Sequence, residues 1–177
     1  PLRLIHVASL NRVKDPTCLL HAVAQLRAQG LALRLDQVGV DTLDGETQRL
    51  ATRLGLDDCV HFHGFQTQAQ LRPLLARAHL HLVSSRHEAG PVAALEAAVL
   101  GVPSVGTAVG HLREWDAQAP APGDAQGLAQ RVAALAADED TRLALAARVQ
   151  RLAMQEDADH TAAQFEQLHA ALCRTGR

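Results

Sequence analysis

Residues 80–109 read "LHLVSSRHEAGPVAALEAAVLGVPSVGTAV" and place one helical run between two strand-like runs. The runs at 80–85 and 103–109 are short and apolar, as buried strands are, whereas the run at about 91–100 has the length of a helix. A strand, a helix and a second strand in this order predict a βαβ unit, whose two strands run parallel.

The same alternation fills the preceding part of the chain. We expect strands at 2–9, 32–40 and 59–65 and helices at 15–30, 44–56 and 67–78. The first helix has clear end signals: Asp15 as N-cap, Pro16 at the first helical position and Gly30 at the stop. Five strands alternating with helices predict an α/β fold with a doubly wound, Rossmann-like parallel sheet. In such sheets, ligands bind outside the carboxyl ends of the strands.

The pattern changes after a Pro-rich stretch, "AQAPAPGDA", at residues 117–125. From about 124 onward it is helical throughout, and its last helical run is "DADHTAAQFEQLHAALCR" (157–174). We therefore predict one domain over 1–177, with 124–177 forming terminal helices of that domain. The first strand begins almost at Pro1, so we expect the chain to be a fragment of a longer protein.

Composition excludes several classes of protein. Of the 177 residues, 47% are hydrophobic and 20% charged, which is typical of a soluble globular domain. A net charge of −2 and an aromatic content of 2% argue against nucleic-acid binding. The cysteines (Cys18, Cys59 and Cys173) are far apart, which favours reduced thiols in a cytoplasmic protein, with Cys18 a core thiol. No apolar run is long enough for a membrane span, so we expect at most peripheral membrane contact.

Two glutamates mark the candidate site. The helix that follows the strand at 80–85 points its first amides into the cleft, where N–H groups and the helix dipole favour an anion such as a diphosphate. Pro91 has no N–H, so Val92 and Ala93 must be the donors. Glu96 lies roughly 7–8 Å further along the helix axis, where its carboxylate can accept two ribose hydroxyls. Glu88 precedes the helix and can meet hydroxyls attached to the far phosphate.

A structural explanation of the two glutamates stays open. Glu88 could cap the helix, and Glu96 could lie on the solvated face of an amphipathic helix. The apolar flanks of Glu96, "VAAL" and "AAVLGV", leave it little polar face and weaken that alternative.

Other sites find less support in the sequence. His61 and His63, and likewise His79 and His81, share a strand face, but no cysteine or carboxylate completes a metal shell, and we expect no metal. No G-x-G-x-x-G follows the first strand and no Walker lysine is present, which disfavours nicotinamide and P-loop enzymes. Trp115 either closes the cleft or packs under the terminal helices, and packing is the favoured alternative.

The stretch "EAGPVAALEAAVLGVPSVGTAVG" resembles the signature of group 1 (family 4-like) retaining glycosyltransferases of the GT-B fold. That signature has two glutamates separated by seven residues, followed by a Gly-Val-Pro turn. Four further segments match the family in order: "VASLNRVKDPTCLLHA" (7–22), "VHFHGF" (60–65), "AHLHLVSS" (78–85) and "APAPGD" (119–124). The resemblance covers about residues 4–140.

The resemblance implies roles for particular residues. Glu88 and Lys14 would be catalytic, with Glu88 contacting the donor sugar and Lys14 neutralising the diphosphate, and Glu96 would hold the nucleotide ribose. The remaining donor-binding residues would be Ser9, Arg12, His63, Gly64, Phe65, His87, Ala89, Gly90, Pro91, Val92 and Ala93. His87 either touches the donor phosphate or caps its loop.

The chain departs from the family pattern at two places. Ser9 stands where the family usually has an arginine, for which Arg12 is a candidate substitute on the same loop. "EAGPV" replaces the more usual Glu-Gly-Phe-Gly-Leu, so that Pro91 removes one amide donor. Both changes predict weaker or differently angled phosphate binding.

The family implies that this chain is the C-terminal, donor-binding half of a hexosyl-transferring enzyme. The donor would be a UDP-, GDP- or ADP-sugar, with no cofactor, and the absent N-terminal domain would hold a sugar or lipid acceptor. We expect the isolated chain to bind donor and to show little or no transfer. The alternatives are a stand-alone nucleotide-binding or regulatory module and one half of a nucleotide-sugar epimerase.

Overall fold

The computed structural model describes residues 1–155. Its strands are Leu2–Val7 (β1), Leu33–Val38 (β2), Val60–Gly64 (β3), Leu80–Val83 (β4) and Ser104–Gly106 (β5). They form one sheet in the order β3-β2-β1-β4-β5, and every pair of neighbours is parallel. The predicted α/β fold with a doubly wound parallel sheet is confirmed.

Helices connect the strands and then cover the sheet. They are Pro16–Ala28 (α1), Glu46–Arg53 (α2), Gln68–Arg77 (α3), Val92–Val99 (α4), Leu112–Trp115 (α5), Ala125–Ala137 (α6) and Glu139–Ala153 (α7). The predicted signals of α1 are confirmed: Asp15 accepts a hydrogen bond from the Cys18 amide at 3.1 Å, and Gly30 follows the helix with φ 83°.

Some boundaries differ from the predictions, for local reasons. The helix predicted over 44–56 is shorter because Asp44, Gly45 and Gly55 all have positive φ. The strands predicted to end at 85 and 109 end at Val83 and Gly106, where the pairing of β4 with β5 stops. The helical pattern from 124 is divided at Asp138, whose side chain caps α7 by accepting from the Thr141 amide at 2.9 Å. The short helix α5 is not predicted by the pattern.

Apolar side chains pack on both faces of the sheet. One cluster joins the sheet to α1, α6 and α7, and a smaller one joins Ile5 and Val38 to residues of α3 and α4. Trp115 is buried in the larger cluster with Leu128 and Val132 of α6, which confirms that it packs under the terminal helices. Cys18 lies on α1 and is buried. Burial, together with the nearby Asp15 carboxylate, raises the pKa of its thiol to about 11. The prediction of a core thiol is confirmed.

The strand order reverses beside β1. The chain passes from β1 outward to β2 and β3, and then returns to the other side of β1 to form β4 and β5. The connections that leave the carboxyl ends of β1 and β4 therefore diverge, and a crevice opens between them. All four residues of β4 are buried, as expected for an inner strand of a sheet that is covered on both faces.

The last predicted helical run, 157–174, and Cys173 lie outside the described residues. Within residues 1–155, no helix is both long enough and apolar enough to cross a membrane.

Candidate functional site

The loops that follow β1 and β4 meet at the crevice. The Ser84 hydroxyl donates to the carbonyl oxygen of Lys14 at 2.7 Å, and the Arg86 amide donates to the carbonyl oxygen of Val13 at 2.8 Å. Ser84 thus satisfies a backbone group of the neighbouring loop. These bonds hold residues 84–91 against residues 8–15, so that side chains from both loops share one space.

Lys14 and Glu88 form an ion pair at this junction. The Lys14 ammonium lies in direct contact with Glu88 Oε1, and the Ser85 hydroxyl donates to the same oxygen at 2.7 Å. The two charged side chains are 28% and 12% exposed, so water screens the pair less than it would at the surface. The structure therefore brings together the two residues that the resemblance assigns to catalysis.

A cavity of about 340 Å³ opens beside this pair. Its walls include Lys14, Ser85 and Glu88 from the loops, together with the entry to α4, at Gly90, Pro91, Val92 and Ala93. Pro91 is the N-cap of α4, and the amides of Val92 and Ala93, the first two residues of the helix, have no acceptor within it. Amide donors, the positive end of the helix dipole and an ammonium group thus surround one space, and this combination suits an anion.

Two buried histidines, His6 and His81, also line this cavity. Burial lowers the pKa of His6 to about 4 and that of His81 to about 3, so both imidazoles are neutral near pH 7. His6 Nδ1 donates to Gln37 Oε1 at 2.5 Å, and the Gln37 amide group donates to the carbonyl oxygen of Ala8 at 3.0 Å. His81 Nδ1 and Ser104 Oγ are 2.9 Å apart. The histidines therefore join neighbouring strands and add no charge to the cavity.

Glu96 lies further along α4. It borders a second cavity, of about 450 Å³, together with Gln68 and Arg72 of α3 and Leu95 and Val99 of its own helix. Its Oε1 accepts a hydrogen bond from Gln68 Nε2 at 2.7 Å. The start of α4 thus borders one cavity and its second turn borders the other, and the two cavities have no lining residue in common.

The predicted base-flanking loop follows β3. His63 Nε2 lies 2.7 Å from Asp36 Oδ1, and the Gly64 carbonyl accepts from the Gly39 amide at 2.8 Å. Burial alone would raise the pKa of Asp36, but hydrogen bonds from Arg34 and His63 hold that pKa below its usual value. The Phe65 side chain is 72% exposed. The loop thus has a fixed backbone and an exposed aromatic ring at its tip.

The other predicted donor-binding residues are more dispersed. Ser9 is half-buried in the loop after β1, and both His87 and Ala89 are exposed in the loop before α4. The Arg12 guanidinium, which the sequence offers as a substitute for the missing arginine, forms a two-pronged pair with Glu46 at 2.8 and 3.1 Å. Its charge is therefore directed at α2.

Sequence reasoning missed two polar partners of the glutamates. The sequence does not identify Ser85 as the partner of Glu88, nor Gln68 as the partner of Glu96. Both contacts join residues whose proximity depends on how loops and helices pack. The hydrophobic pattern therefore carries no signal for them.

Comparison with known proteins identifies the family. Residues 1–138 match the model of glycosyl transferases group 1. The chain belongs to the group 1 glycosyltransferases. It is 31% identical over 155 residues to WcaL of Escherichia coli K12, a glycosyltransferase assigned to colanic acid biosynthesis, and 34% identical over 113 residues to MMP alpha-(1->4)-mannosyltransferase of Mycolicibacterium hassiacum. These matches cover 81% and 63% of the chain but 38% and 27% of the relatives, so the chain spans well under half of their length.

Solved structures of GT-B glycosyltransferases have the same fold. Anabaena HepE, solved in complex with UDP-glucose, superposes with a TM-score of 0.78 at 26% identity, covering 96% of this chain and 49% of HepE. Sucrose-phosphate synthase of Thermosynechococcus elongatus gives a TM-score of 0.78 at 24% identity, covering 99% of this chain and 46% of that structure, which shows a shared fold.

Proposed function

We propose that this chain binds a nucleotide-diphosphate sugar as the donor-binding half of a retaining hexosyltransferase. The observation that carries the proposal is the convergence of Lys14, Glu88 and the first turn of α4 on one cavity at the crevice between β1 and β4. Family membership and the UDP-glucose complex of HepE support the same class of ligand.

The diphosphate fits the cavity beside Lys14. The ammonium group and the amides of Val92 and Ala93 are donors suited to phosphate oxygens. Glu88 holds Lys14 through Oε1, which leaves its second oxygen as an acceptor for a sugar hydroxyl. The sugar then lies next to the bond that breaks.

The nucleoside extends toward α3 in this proposal. Glu96, in the second turn of α4, accepts the ribose hydroxyls, and the loop His63–Phe65 flanks the base. In this proposal the phosphates occupy the cavity at the start of α4 and the ribose occupies the cavity beside Glu96.

These groups would assist departure of the leaving group. When the bond between the anomeric carbon and the diphosphate oxygen breaks, negative charge grows on the diphosphate. Fixed amide dipoles and Lys14 stabilise that charge without reorganising, which lowers the barrier. The sugar passes to an acceptor hydroxyl, whose proton goes to the departing diphosphate, and the acceptor is held by a domain that this chain does not include.

Calorimetric titration with UDP, GDP, ADP and their sugar conjugates tests the proposal. We expect one nucleotide to bind below millimolar concentration and Lys14→Met to weaken it about tenfold or more, since a charge-assisted contact is lost. Arg12→Met removes a cation of the same loop whose guanidinium is engaged by Glu46, and we expect it to change affinity less than twofold. Absence of binding by every nucleotide at millimolar concentration would overturn the proposal.

A further inference from the structure

The side chain of Gln68 bridges two helices. Its Nε2 donates to Glu96 Oε1 at 2.7 Å, which links the first residue of α3 to the second turn of α4. Leu95 and Val99 border the same cavity from α4 and offer the carboxylate no hydrogen-bond donor. The donor that orients Glu96 therefore comes from another helix.

The backbone that carries Gln68 is itself fixed. The Thr67 amide donates to Gln70 Oε1 at 3.0 Å, which closes the start of α3 in the manner of a capping box. Just before it, the Gln66 side chain donates to the carbonyl oxygen of His63 at 3.0 Å, and Gly64 accepts from Gly39. Gln68 thus extends from an anchored point that directly follows the proposed base-flanking loop.

We propose that Gln68 is a positioning residue for the nucleotide ribose: its amide orients the Glu96 carboxylate toward the ribose diol. This inference rests on the proposed function. A carboxylate has about four acceptor positions, and Gln68 occupies one of them on Oε1. Oε2 and the second lone pair of Oε1 stay available to two neighbouring hydroxyls. Without the amide, the carboxylate rotates freely about its last torsion, and ordering it on binding costs conformational entropy.

The proposal also links base and ribose recognition. Because α3 begins three residues after the loop His63–Phe65, a shift of that loop would also move Gln68 and hence the position in which it holds Glu96. The base, against the loop, and the ribose, against Glu96, are then recognised together.

Calorimetry with three probes separates positioning from a general structural role. The probes are the nucleoside diphosphate that binds the unmodified chain most tightly, its 2′,3′-dideoxy analogue and inorganic pyrophosphate. The variants are Gln68→Ala and Gln68→Met, since Met keeps the length and bulk of Gln without its N–H groups. Gln130→Ala, at an exposed glutamine of α6, is the matched control.

We expect both Gln68 variants to weaken binding of the ribonucleotide about three- to tenfold, the range of one ordinary hydrogen bond, because Gln68 acts on the ribose only through Glu96. The dideoxy analogue and pyrophosphate should each bind the Gln68 variants with an affinity within twofold of that for the unmodified chain, because neither presents the ribose diol to Glu96. Equal weakening of all three probes, or binding of the ribonucleotide to Gln68→Met with full affinity, would overturn the role assigned to Gln68. Either result would leave the proposed function standing. If no nucleotide binds the unmodified chain, the proposed function and this inference fail together.

Discussion

At the scale of single residues, Glu88 joins two different groups through one oxygen. Oε1 contacts the Lys14 ammonium and accepts the Ser85 hydroxyl, while Lys14 also borders the cavity proposed for the diphosphate. A carboxylate this close to bound phosphates opposes their charge, so its benefit must come from the sugar. Glu88 should therefore favour the complete donor over the nucleotide alone.

Glu88→Gln tests this division of roles. The substitution keeps shape and removes the negative charge, so we expect the free nucleoside diphosphate to bind as tightly as before or more tightly. The sugar conjugate should lose about tenfold relative to the free nucleotide, because a charged acceptor for its hydroxyl is replaced by a neutral one. The two affinities, measured by calorimetry on the same preparation, give the ratio. A weaker nucleotide with an unchanged ratio would contradict the assignment.

The buried histidines predict how stability depends on pH. His6 and His81 have folded-state pKa values of about 4 and about 3, below the ordinary 6.5, so the unfolded chain binds protons that the folded chain does not. Above about pH 7 both histidines are neutral in the folded and the unfolded chain, so the free energy of unfolding is at its full value. It falls as the pH drops below 6.5, because the unfolded chain then gains protons that the folded chain does not. Each residue should remove about 2 kcal/mol by pH 5.

Urea unfolding of the chain and of His81→Leu, at pH 7.5 and pH 5.0, measures this effect. Leucine does not titrate, so we expect the variant to lose roughly half as much unfolding free energy between the two pH values. An equal loss of unfolding free energy in both proteins would show that the pH dependence does not come from His81.

At the scale of elements, the site depends on how closely the loops approach one another. Gly39, at the end of β2, has φ 144°, and a Cβ there would lie 2.1 Å from the carbonyl oxygen of Ala8. That carbonyl begins the loop that carries Lys14. A side chain at Gly39 would therefore push the loop after β1 away from its neighbours.

Gly39→Ala should destabilise the fold by roughly 3 kcal/mol or more, through backbone strain together with the clash. Gly30→Ala is the matched control, since Gly30 has φ 83° but open space around its missing Cβ, and strain alone should cost about 1–2 kcal/mol. Urea denaturation of both variants measures the difference. Similar losses would show that the loop yields without cost.

Elements differ in how far their sequence predicts them. The ends of α1 are local events, an Asp15 cap and a Gly30 stop, and the pattern predicts both. The ends of β4 and β5 depend on where their mutual pairing stops, which is decided by tertiary structure. The same distinction holds in the site: Glu88 and Glu96 are visible in the sequence by their spacing, whereas their partners Ser85 and Gln68 are defined by packing.

At the scale of the whole molecule, the chain is a glycosyltransferase domain that covers about half of HepE. Its sheet reverses beside β1, and the reversal opens a crevice where Lys14, Glu88 and the start of α4 converge. We propose that this crevice holds the diphosphate of a sugar donor.

The most direct test is amide exchange with solvent, followed by NMR, with and without the nucleoside diphosphate that binds most tightly. We predict that the amides of Val92 and Ala93 exchange at least tenfold more slowly in the complex, because phosphate oxygens then accept their hydrogen bonds. The first turn of α6, at Ala125 and Gln126, should be unchanged and serves as the internal control. Saturation of the chain with nucleotide while Val92 and Ala93 exchange at their free rates would contradict the account.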